Sequence, residues 1–117
     1  MTSCLKIEPI SISSVGVALV RITPGARTAW HTHPKGQTLY VTDGVGYVCH
    51  RGEKPQKIKP GDSVFIEPGE EHWHGATPAD FMEHLAMLDN ADDPAATTRW
   101  LEHVTDTQYN TPITAEE

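Results

Sequence analysis

Two His-x-His triplets, His31-Thr32-His33 and His72-Trp73-His74, constrain this chain of 117 residues more than any other feature. Alternate side chains of a strand share a face, so each triplet sends two imidazoles to one side, with their Cα atoms roughly 6.5 Å apart. One such pair reads equally well as core histidines with ordinary hydrogen-bond partners. Two pairs, each set behind a Pro/Gly turn (Pro24-Gly25 and Pro68-Gly69), point instead to imidazoles gathered on one metal ion. Pro34 and Gly36 break the first strand directly after His33, because proline lacks the ladder donor and glycine relaxes the backbone. Gln37 is thereby swung back toward the same ion. With His72 as a further ligand, His74 shares its face and enters the same cavity as a candidate acid or base.

The rest of the chain supplies short β runs and no helical period of useful length. Val15 to Ile22 alternates, with Gly16, Ala18, Val20 and Ile22 on one face. Thr23-Pro24-Gly25 suits a type II turn, and the ligand strand is expected to follow it directly. Leu39 and Val41 continue on the ligand face, and Asp43-Gly44 reads as a hairpin signal before the strand Val45 to His50. Arg51 to Pro55 reverses the chain again. Short strands then follow over Gln56 to Lys59, Ser63 to Ile66 and Phe81 to Leu88. In the last of these Met82, His84, Ala86 and Leu88 share one face, so His84 sits among apolar residues, as inside a barrel. Asp89 to Thr98 reads as a mobile loop, Arg99 to Val104 as a final strand, and Thr105-Asp106 as the cap of one helical turn through Tyr109.

Eight or more short strands between Gly/Pro turns belong to an all-β sandwich or barrel, and a barrel lets inward histidines of neighbouring strands converge. The length fits one domain, at residues 15–109, preceded by an arm or edge strand at 1–14, where Pro9 opposes a central strand, and followed by a frayed tail at 110–117. The net charge of -7 argues against a nucleic-acid partner, and no run is long enough to span a membrane. The opening Met-Thr-Ser-Cys-Leu-Lys-Ile-Glu-Pro lacks the basic and apolar regions of a secretory signal, so a cytoplasmic location is expected. Cys4 and Cys49 read as free thiols, Cys49 as a packing residue, and His50 and His103 as solvated. Alternation turns Trp30 and Trp73 outward, where together they would form an apolar patch covered by a second copy in a homodimer or higher oligomer.

These residues resemble those of a small single-domain cupin. Gly25, His31, His33, Gln37 and Gly44 match the first cupin motif, with glutamine where glutamate is usual. Gly61, Pro68, Gly69 and His72 match the second, with proline and glycine adjacent where many members space them by one. Pro-Gly-Ala-Arg-Thr-Ala-Trp-His-Thr-His-Pro, Gly-Gln-Thr-Leu, His-Trp-His-Gly-Ala and Trp-Leu-Glu-His-Val-Thr-Asp resemble a narrower bacterial group. That group is described as carboxymuconolactone-decarboxylase-associated and includes manganese-dependent cupins with hydroxynitrile lyase activity. The likeness covers roughly residues 15–109 and implies a jelly-roll β-barrel.

The resemblance implies His31, His33, Gln37 and His72 as metal ligands and His74 and His84 as catalytic histidines of the cavity. It implies Ala18, Val20 and Leu88 as pocket lining, to which the alternation adds Leu39 and Met82. Mn2+ is the cofactor it favours, while imidazole also suits Fe2+, Ni2+, Zn2+ or copper. Three imidazoles and a carboxamide leave a divalent ion its full charge, and octahedral coordination would leave two positions open. The expected activity is lyase chemistry on a small oxygenated molecule, such as cleavage of a cyanohydrin into aldehyde and cyanide. The alternatives are an oxidative cleavage enzyme placing substrate and dioxygen at the two open positions, and a non-catalytic metal- or ligand-binding module.

Overall fold

Gly- and Pro-containing reversals end each β-branched run, and the computed structural model, which describes residues 5–12, 15–89 and 97–111, carries the resulting strands. In chain order they are β1 (Leu5–Ile12), β2 (Val15–Ile22), β3 (His31–Thr32), β4 (Gln37–Gly44), β5 (Gly46–His50), β6 (Gln56–Ile58), β7 (Ser63–Ile66), β8 (His72–Ala76), β9 (Met82–Asp89) and β10 (Arg99–Trp100), followed by α1 (Asp106–Tyr109). They form two five-stranded sheets, ordered β1-β2-β9-β4-β7 and β10-β3-β8-β5-β6. Neighbours in both are antiparallel, the pattern of a jelly roll. Among the described residues no helix is long and apolar enough to cross a membrane.

The inward faces follow the alternation. Val20, Ile22, Leu39, Val41 and Met82 from the first sheet pack against Val48, Ile58 and Ala76 from the second, closing one core. Chain reversals hold the sheets in register. Thr23 to Ala26 turns with the Ala26 N–H donating to the Thr23 carbonyl at 3.0 Å, as the Pro24-Gly25 pair requires. β1 lies at a sheet edge, where Pro9 faces Ala18 without disrupting a central ladder.

Three expectations are corrected. Asp43-Gly44 is not a hairpin, because β4 and β5 belong to different sheets. Gly44, at φ 73°, lies so close to the Phe81 carbonyl that a Cβ there would collide with it, and the Val45 N–H donates to that same carbonyl at 2.9 Å. The chain is thereby carried round a corner from one sheet to the other. The first ligand strand does not follow the Thr23 turn directly: residues 23–30 are irregular, joined to β8 through the Arg27–Gly75 bridge, and β3 spans two residues.

The third correction concerns the tryptophans. Trp30 and Trp73 do leave the inner face, but they are 3% and 0% exposed, covered by this chain's own Val104 and Tyr109 with Leu101 beside them. Thr105 caps α1 through a reciprocal pair of hydrogen bonds with Gln108, and this short turn seats Tyr109 over the Trp73 ring at 5.7 Å. The exposed patch on which the oligomer expectation rested is therefore absent. Cys49, a free buried thiol in the same cluster, is pushed up to about 11 by burial, while Cys4 and residues 112–117 of the expected tail lie outside the described residues.

Candidate metal centre

Strand register builds a row of side chains across the second sheet. Trp100 pairs with His31, His31 with His72, and His72 with His50, and directly paired residues of antiparallel strands face the same side. His33 follows where β3 ends. The Pro34–Gly36 break and the Pro68-Gly69 turn meet at its carbonyl, which accepts from the Gly36 N–H at 3.1 Å and from the Gly69 N–H at 2.9 Å. Gly36 takes φ 77° and packs so tightly that a Cβ would stand 2.5 Å from the Ile66 carbonyl. That close approach places Gln37, opposite Ile66, at the start of β4 and on the cavity.

His31, His33 and His72 are buried, and each offers a ring nitrogen within 4.8 Å of those of the other two. Their other ring nitrogens are engaged. The Nδ1–H groups of His31, His33 and His72 donate to the carbonyls of Ala29 at 2.8 Å, Thr97 at 2.8 Å and Glu70 at 3.1 Å. A carbonyl can only accept, so each bond sets the tautomer that leaves Nε2 with a free lone pair. Nε2 of His33, Nε2 of His72 and Oε1 of Gln37 are buried without a hydrogen-bond partner among the described residues. Buried polar atoms left unpaired cost stability unless something binds them, so this donor set fits a divalent cation.

Protonation agrees with that fit. Burial lowers His31 to about 3, helped by His72, and lowers His72 to about 4; burial likewise holds His33 below its ordinary value. All three imidazoles are thus neutral at pH 7, the form that ligates. His50, read as solvated, is instead partly buried, with Nδ1 2.9 Å from Glu70 Oε2, directly behind His72. His103 is exposed, as expected.

Beside the three ligand candidates opens a cavity of about 240 Å³. His74 and His84 face it, their ring centroids 5.0 Å apart and edge to face. Among the described residues neither imidazole has a hydrogen-bond partner at either nitrogen. Burial, followed by the His84 charge, pushes His74 well below its ordinary value, and burial lowers His84 to about 4. Both are neutral bases at pH 7. Ala18, Val20 and Leu88 line the apolar side.

Leu39 and Met82 share those inward faces, but both are fully buried in the core and are not among the cavity-lining residues. The cavity occupies the end of the barrel nearer Gln37 and Leu88, and core side chains fill the other end. Sequence reasoning missed Thr28, Thr98 and Trp100, which complete the lining. Thr28 comes from the irregular stretch before β3, and its Oγ1 accepts from the His74 N–H at 3.3 Å. Thr97 and Thr98 fall in what reads as a mobile loop, yet the Thr97 carbonyl holds His33. No local pattern announces either contact, since both depend on pairing between distant segments.

Comparison with known proteins agrees with this architecture. The chain is 48% identical over 112 residues to an (R)-mandelonitrile lyase of Granulicella tundricola, covering 92% of this chain and 84% of that protein. It is similar to the crystal structure of a cupin-like protein from Thermotoga maritima, with a TM-score of 0.81, 34% identity, and 90% and 81% of the two chains covered. A double-stranded β-helix protein from Klebsiella pneumoniae shares the fold at a TM-score of 0.72 and 19% identity, with 87% and 88% covered. The model of the cupin domain matches residues 18–85, and with the two sheets and the histidine cluster in place this chain belongs to the cupin family, as a small single-domain member.

Proposed function

We propose that the protein is a metal-dependent lyase that cleaves cyanohydrins into an aldehyde and hydrogen cyanide. The observation that carries this reading is the pair of buried, neutral, unpartnered imidazoles, His74 and His84, facing an apolar cavity beside three convergent histidines. The 48% identical relative named (R)-mandelonitrile lyase supports it. His31, His33, His72 and Gln37 would hold the ion, with Mn2+ the leading candidate. A bound divalent ion supplies Lewis acidity toward a substrate hydroxyl and lowers its pKa.

His74, neutral and unpartnered on the cavity, accepts the hydroxyl proton. The carbon–nitrile bond then breaks, its electron pair leaves with cyanide, and the carbonyl forms. The proton returns to cyanide from the His74–His84 pair, so the products are aldehyde and hydrogen cyanide and both imidazoles end neutral. Ala18, Val20 and Leu88 keep water from the departing group and seat the apolar part of the substrate.

The test uses chelator-stripped protein reloaded separately with Mn2+, Fe2+, Ni2+ or Zn2+ and given mandelonitrile. Benzaldehyde release should appear with at least one metal and vanish in His72→Ala together with bound metal. Protein carrying one ion per chain that leaves cyanohydrins at the uncatalysed rate would overturn the reading. Oxygen consumption with a catechol substrate under the same loading would favour oxidative cleavage instead.

A further inference from the structure

Trp100 is an anomaly among the large apolar side chains. It lines the cavity and yet is 60% exposed, more than Phe65 at 56% or Tyr40 at 40%. Its position is not accidental. β10 pairs with β3, and the ladder extends through the Leu101 N–H donating to the Trp30 carbonyl at 2.8 Å and the Trp30 N–H donating to the Glu102 carbonyl at 2.9 Å. That register sets Trp100 directly opposite His31, on the face that looks into the cavity.

The indole leans on the His31 ring, with centroids 4.8 Å apart and planes inclined by 39°. One part of the ring system is therefore held by a ligand candidate, and the remainder is left bare at the cavity mouth. A bare indole keeps apolar area in water that a ligand could cover, and its orientation is already fixed by packing. Across from it stand Ala18, Val20, Ala86 and Leu88, which offer apolar walls and no polar group. The cavity is thus sided: the second sheet presents His31, His74 and the indole, and the first presents these aliphatic side chains beside His84.

We propose that Trp100 is a specificity-determining residue that selects substrates bearing an aromatic ring, which stacks on the indole while the reacting carbon lies at His74 and His84. The inference rests on the lyase reading above and names the substrate class within it. A flat ring gains from offset stacking on the indole face, where a saturated ring of the same size gains only burial.

Two measurements separate this inference from the lyase reading. First, kcat/KM is measured for mandelonitrile and for the cyanohydrin of cyclohexanecarbaldehyde in metal-loaded wild type, Trp100→Leu and Trp100→Phe, with metal content determined for each. The aromatic-to-saturated ratio should fall about fivefold in Trp100→Leu, through KM, and be largely retained in Trp100→Phe, in line with the size of aromatic stacking. An unchanged ratio in Trp100→Leu with normal turnover overturns the role of Trp100 and leaves the lyase standing.

Second, Trp30 and Trp73 are buried, so iodide should quench mainly Trp100. Benzyl alcohol should protect that emission and cyclohexylmethanol should not. Protection without cleavage of any cyanohydrin would sink the lyase reading and keep the aromatic site. Equal protection by both alcohols, or by neither, overturns the inference.

Discussion

The two short histidine strands have an inner and an outer face, and the two are finished in opposite ways. Inward, His72 and His74 end in ring nitrogens with no partner, as does His33 just past β3. Outward, Trp30 and Trp73 are closed over by the chain's own C-terminal segment, and a single nitrogen there, Trp73 Nε1, is buried without a hydrogen-bond partner among the described residues. There the Trp30 indole N–H donates to Gln108 Oε1 at 3.2 Å, the Tyr109 hydroxyl donates to the Ala76 carbonyl at 2.6 Å, and the Arg51 guanidinium lies 3.9 Å from the Trp30 ring centroid. A buried indole contributes up to roughly 4–6 kcal/mol from its area, whereas each unpaired buried polar atom costs about 1–3 kcal/mol. Adjacent residues of one triplet therefore serve contrary ends. The outer face stores stability, and the inner face spends some of it to keep donors ready for a ligand.

That contrast is broken most directly at His74. His74→Ala should lower turnover by roughly 10²- to 10⁴-fold while metal content stays near one ion per chain and the melting temperature does not fall. A variant that loses its fold would mean the inner face is structural after all. Trp73→Ala reverses the pattern, with a loss of about 3–5 kcal/mol in urea unfolding, because a fully buried ring leaves a cavity the strands cannot collapse into. A loss below about 1 kcal/mol would deny the outer face its role.

Acid should sharpen the distinction. Burial holds His84 near 4, below the unfolded value of 6.5, so between these values the unfolded chain takes up a proton that the folded imidazole refuses. The His84 contribution to the stability of the metal-free protein therefore falls as pH drops from 6.5 toward 4 and levels off below that. In His84→Leu the slope of melting temperature against pH over this window should be visibly shallower, and an identical slope would show that His84 does not contribute.

The smallest effect belongs to the rim. Arg51 bonds Glu71 at 2.7 Å and Glu102 at 2.8 Å while stacking on Trp30, but it is partly solvated and its ion pairs are screened. Arg51→Ala should cost about 1 kcal/mol in unfolding free energy, with the ionic part of that loss shrinking in high salt. A salt-independent loss would assign the whole effect to packing on Trp30.

Much of this was legible in the chain. The alternation turned Ala18, Val20, His84 and Leu88 to inward faces and set His74 on the face of His72, because a pleated strand shows its faces in every second residue. Thr105-Asp106 announced the capped turn at α1 for a similar reason, since capping is settled within four residues. Asp43-Gly44 misled because a hairpin and a corner between sheets use the same residues, and only the Phe81 contact distinguishes them. Leu39 and Met82 misled because a shared face says nothing about depth along the barrel.

By itself, then, the order of residues determined the strand class, the inward histidines and the absence of a charge balance suited to nucleic acid, all of which follow from local backbone geometry or summed charge. What covers Trp30 and Trp73, which carbonyl orients His33, and why Trp100 stands at the cavity mouth were decided only when residues 97–109 closed back over β3 and β8. Such contacts join segments more than thirty positions apart, and no periodicity within either segment encodes the register in which they meet.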